Sequence, residues 1–156
     1  MKENIGFIEM KTPGDLWRKL VFEYDQLKRD NENIYLAYNF ITTAWNMLDW
    51  IFDGERHNSE KTELKNNNTI LLICEHIANG AKHFHLRNSN LQSVDEIKKD
   101  RYVEEGYWGE DYSESPILIE LNEKHHNEFG KTININTLAE LVMHFWESEL
   151  KSRELI

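Results

Sequence analysis

One cysteine, two prolines and seven glycines in 156 residues leave this chain with little covalent or backbone punctuation. Cys74 has no partner for an intrachain disulfide, so a reducing compartment, the cytoplasm, is expected. No apolar run approaches the ~20 residues that span a bilayer, and no membrane association is expected. The opening Met1-Lys-Glu-Asn-Ile-Gly-Phe-Ile-Glu9 lacks the apolar stretch of a signal peptide. Positive charge is short as well: 18 Lys and Arg face 28 Asp and Glu, a net charge of −10. A broad nucleic-acid footprint needs Lys and Arg to displace phosphate counterions, so nucleic acid is not an expected partner. Also missing are a Rossmann turn, a P-loop, a zinc ribbon and a serine-hydrolase elbow, and no cofactor is expected.

What is present is bulk for a core. Apolar residues make up 40% of the chain, including five Trp, six Tyr and seven Phe. A single domain of this size buries roughly two thirds of its unfolded surface and folds without staples. Thr12-Pro-Gly-Asp15 marks a helix start, with Thr12 as N-cap and Asp15 at the capping-box position. Leu16, Leu20, Tyr24 and Leu27 follow at helical spacing, and Lys28 and Arg29 suit a C-terminal end, giving a helix over 13–29.

Asp30 or Asn31 is positioned to cap a second helix over 31–53. Its stripe is Ile34, Ala37, Tyr38, Ile41, Ala44, Trp45, Leu48 and Phe52, broadened by Phe40, Met47 and Ile51, with Trp50 on the far side. So apolar a helix is central to a bundle or shared with a partner. Asn58 opens a short third helix over 59–66, which the Asn66-Asn-Asn68 triplet interrupts. A fourth, over 68–85, carries Ile70, Ile73, Cys74, Ile77, Ala81 and Phe84 on one face. Residues 87–115 lose periodicity, and Gly106-Tyr-Trp-Gly-Glu-Asp-Tyr112 reads as an acidic, aromatic loop. Ile117–Leu121 and Thr132–Ile135 form a β-hairpin within 117–135. Asn136 caps a last helix over 137–152, with Leu138, Leu141, Val142, Phe145 and Trp146 inward. The expected fold is mainly α: a bundle of four to five helices with a small β-hairpin before the C-terminal helix.

Ala37-Tyr-Asn-Phe40, Ala44-Trp45, Leu48-Asp-Trp50, Ile77-Ala-Asn-Gly-Ala-Lys-His-Phe84 and Phe145-Trp146 together give the chain a resemblance over roughly residues 16–150. It resembles an uncharacterised family of small bacterial and phage helical proteins. That resemblance implies a helical fold and no settled activity. A more distant similarity to HEPN-type helical domains rests on helix arrangement alone. HEPN ribonucleases carry an Arg and a polar residue, with a His four to six positions later. Arg29-Asp30 and Arg87-Asn88 begin that pattern, and no His follows at that spacing.

Reactive side chains concentrate at the end of the fourth helix. His76, Asn79, Lys82 and His83 are the candidates for a rearranged catalytic site, with His as general base and Lys stabilising a phosphorane. Lys82, His83, His85 and Arg87 equally suit a helix C-terminus, where cations complement the dipole, or an anion-binding patch. Tyr107 and Trp108 offer aromatic area for a protein partner through the 106–112 loop. Met47 and Trp50 offer a surface for a homodimer. Asp49, Asp53 and His57 stand at i, i+4 and i+8, a spacing that aligns ligands only along an unbroken helix. Gly54 argues against that continuity, and no metal is favoured. Cys74, inside an apolar face, reads as an inert thiol. The leading expectation is a small cytoplasmic interaction or regulatory module, without an evident catalytic motif. The alternative is a HEPN-like RNA- or nucleotide-directed enzyme using Asn79, Lys82 and His83.

Overall fold

The computed structural model describes residues 6–53, 58–83, 92–99 and 117–156. The fold is mainly α with one small sheet. Helix α1 spans Pro13–Arg29 and begins as its sequence dictates. Thr12 Oγ1 accepts from the Asp15 N–H at 3.2 Å, and the Asp15 carboxylate accepts from the Thr12 N–H at 2.8 Å. This reciprocal pair satisfies two amides that a helix start otherwise leaves open.

Helix α2 spans Ile34–Ile51. Its cap is Asn33, not Asp30 or Asn31, because Asn33 Oδ1 reaches the amides of both Tyr35 and Leu36. It also stops short of residue 53, where Asp53 takes a left-handed φ of 52°. Helix α3, Ser59–Asn66, is capped by Asn58 and closed by Asn67. Helix α4 runs over Thr69–His83. Helix α6 spans Ile135–Ser152 and is capped by Asn134, whose Oδ1 accepts from the Thr137 N–H at 2.8 Å, so Asn136 is not the cap. The cap falls two residues earlier because strand and helix follow one another without a loop.

The sheet departs further from expectation. β2 (Ile117–Leu121) and β3 (Thr132–Asn134) pair antiparallel as anticipated, joined by a 3-10 turn at Glu123–His125 and a single helical turn, α5, at His126–Phe129. A third strand, β1 (Val94–Lys99), lies inside the stretch expected to be irregular. It pairs antiparallel with β2, giving the order β1-β2-β3, with Ile119 opposite both Ile97 and Ile133. Only Val94 of this strand is buried, and its register shifts between Val94 and Glu96. The alternation that betrays a strand is therefore absent from its sequence.

The core forms where α2 packs against α1 and α4 and α6 closes over them. Leu20, Phe40, Met47, Leu48, Leu71, Ile73, Leu138 and Trp146 are fully buried. Each such side chain contributes about 1.5–3 kcal/mol of transfer free energy. Met47 faces this core with no exposed surface, and Trp50 packs partly buried against it. A homodimer surface built on those two residues is thus corrected: the helix is wrapped on that side by its own chain. Ile34 and Tyr38, expected inside, are exposed. No described helix is long and apolar enough to cross a membrane.

Candidate functional site

Ile34, Tyr35 and Tyr38, in the first turns of α2, are exposed. These turns, the end of α4 and the sheet leave a groove of about 550 Å³ between them. Ile41 and Ile77 line the helical walls, Ile117, Ile119 and Ile135 the opposite side, and Gly80 adds no side chain of its own. Around it Tyr35 is 75% exposed, Ile34 54%, Ile97 49% and Tyr38 42%. These four large apolar side chains stand open together at its rim. Among the described residues lining the groove, the charged ones are Asp95 and Glu96, both on β1.

A knot of polar groups holds β1 in place beside the groove. His76 Nδ1, from α4, accepts from the backbone N–H of Ser93 at 3.0 Å and of Val94 at 3.1 Å. Two donors on one ring nitrogen require a lone pair there, so the neutral ring carries its proton on Nε2. The Ser93 carbonyl accepts from the Asn122 N–H at 3.1 Å, and Ser93 Oγ meets His125 Nε2 at 3.2 Å. Asn122 Nδ2 donates to Asp95 at 3.2 Å, and His126 Nε2 donates to the Leu121 carbonyl at 2.9 Å. Burial lowers the pKa of His76; Asp95 opposes that shift and Lys124 adds to it. Burial also lowers that of His125, with Lys124 adding to the shift, Glu128 opposing it and His126 adding to it.

Ser93 and His125 are within hydrogen-bond reach, the first geometric condition for an activated hydroxyl. Both are buried, and neither lines the groove. The pair is a structural tie. It was not legible beforehand, because the two residues lie far apart in sequence and only the unanticipated β1 brings them together. The faint signal was Asn122-Glu-Lys-His125, an Asx start that turns His125 inward.

Of the anticipated catalytic patch, the side chains of His76, Asn79 and Lys82 lie among the described residues. His76 is spent on the β1 backbone, and Asn79 Nδ2 turns back to the Glu75 carbonyl of its own helix at 3.0 Å. Lys82 is exposed. His83 closes α4, and its side chain lies outside what is described, as do His57, His85, Arg87, Tyr107 and Trp108. Asp49 is ion-paired with Lys61 of α3, and Asp53 sits beyond the helix end, so the two do not share one helix edge. Among the described residues no group of three metal-binding side chains converges. Cys74 is buried, which pushes its thiol up to about 12 and keeps it protonated. Comparison of the chain with protein-family models, curated proteins and solved structures gives no match.

Proposed function

We propose that this chain is a small cytoplasmic interaction module without chemistry of its own, and that it docks an extended apolar segment of a protein partner along β1. The observation that carries this reading is the open apolar groove bordered by Ile34, Tyr35, Tyr38 and Ile97. β1 is an outer strand of the sheet, and among the described residues no strand pairs with its free edge. A strand added there gains main-chain hydrogen bonds, while alternate side chains enter the groove. Tyr and Ile at such a rim supply large contact area at small entropic cost.

Charge narrows the partner. Asp95 and Glu96 line the groove of a protein whose net charge is −10. A segment with Lys or Arg beside its apolar residues complements that field, whereas a second copy of the chain brings acid against acid. A single cysteine, with no partner for an intrachain disulfide, accords with a reducing compartment.

Selection from a library of displayed random peptides tests the reading, with the Ile97→Asp variant as counter-target and a native mass spectrum of each protein. Enriched peptides should be apolar with a basic residue, and should lose on the order of tenfold or more in affinity to Ile97→Asp. Peptides indifferent to that change, or a native spectrum showing only a stable multimer that Ile97→Asp dissolves, would replace this partner with another surface or with self-association.

A further inference from the structure

We propose that β1 is released from α4 by protonation of His76, so that acidification dismantles one wall of the groove. The geometry is specific. The Ser93 and Val94 amides both point at His76 Nδ1, at 3.0 and 3.1 Å. A proton on that nitrogen converts the acceptor into a third donor facing two others. Both hydrogen bonds are lost together, and the ring must turn away or the strand must lift. Val94 is where β1 enters the core, and Val94, Asp95, Glu96 and Ile97 all line the groove. Displacing Ser93–Val94 therefore moves the wall itself.

The groups around the ring set the direction. From β1, Asp95 favours the imidazolium; from the turn after β2, Lys124 disfavours it. Glu96 of β1 and Tyr35 and Tyr38 of α2 line the same groove. His125, which holds Ser93 from the other side, is surrounded by Lys124, Glu128 and His126. Burial outweighs these charges at both rings and keeps them neutral below the ordinary histidine value of 6.5. With the docked state's pKa depressed, the released form takes up the proton first. The clasp is fully present above about pH 6.5 and weakens as pH falls from there toward the docked value. Within that window the released population grows on the order of tenfold per pH unit for one proton.

The release stands on hydrogen-bond geometry; its effect on docking rests on the reading of the groove given above. Amide exchange of the full chain, followed by NMR from about pH 7.5 to about pH 5, separates the two. Protection of the Ser93 and Val94 amides should fall across this range, while that of the Met47 and Leu48 amides should not. His76→Gln, which keeps a side-chain acceptor and removes the titration, should flatten the response. Asp95→Asn, which removes the charge favouring imidazolium in the docked state, should deepen the loss of protection at the acid end of the range and serves where His76→Gln fails to fold. Unchanged protection with pH, or the same response in His76→Gln, would overturn the proposal. A selected groove peptide should weaken over the same window. Falling protection with unaltered peptide affinity would uphold the release and refute the groove as docking face.

Discussion

The two ends of α2 are both rich in apolar residues and are covered to different extents. Toward its C-terminus Ala44, Met47 and Leu48 are enclosed by the rest of the bundle. Toward its N-terminus Ile34, Tyr35 and Tyr38 stand exposed beside the groove. The exposed half is not a frayed end, since Asn33 caps it through two amides. Helical periodicity assigns residues to a common face; it does not say how far along that face other elements reach. The same kind of residue is therefore enclosed at one end and exposed at the other.

Substitution breaks this comparison most sharply. Met47→Ala should cost about 2–5 kcal/mol, the range for emptying a fully buried methionine site. Tyr35→Ala, at an exposed position, should stay within about 0.5 kcal/mol while weakening any groove peptide. Urea unfolding of both variants decides the matter. Equal losses would show that Tyr35 is anchored in the fold as firmly as Met47, and the groove rim would lose its meaning as a surface.

How much of this was legible in the sequence follows the same division. Thr12 and Asp15, Asn58, and the stripes of α1 and α6 specify local structure through neighbours three or four residues away, and those elements form where expected. Two N-caps, Asn33 and Asn134, fall off their expected positions, and the larger departures lie where distant segments decide. β1 has no alternation of its own and exists because β2 pairs with it and His76 holds its first amides. Ile34 and Tyr38 sit on the predicted face and are exposed. His76 stood out in the sequence for its chemistry, whereas its hydrogen bonds run to the backbone of a strand that the sequence concealed. Ser93 carried no local signal at all.

A smaller effect sharpens the contrast at the open end. Asn33→Ala removes the side-chain oxygen that serves the Tyr35 and Leu36 amides, and should cost about 1 kcal/mol. The loss should concentrate in the first turn of α2. Amide exchange at Tyr35 and Leu36 should accelerate, while Met47 and Leu48 keep the protection of global unfolding. Uniform acceleration along α2 would mean that the two halves form one cooperative unit.

The smallest effect belongs to the polar edge of the closed end. Asp49 of α2 pairs with Lys61 of α3, with the lysine largely covered and the carboxylate about half exposed. Pairs with one partner in water are screened and pay side-chain entropy, so Lys61→Ala should cost no more than about 0.5 kcal/mol. Its loss should be insensitive to added divalent cations, because Asp53 has left the helix and does not join Asp49 on one edge. A thermal unfolding series with and without zinc or calcium checks both points. A loss comparable to that of Met47→Ala would place the anchoring of α2 in this ion pair. A loss within the expected range leaves apolar burial as the source of the difference between the two ends of the helix.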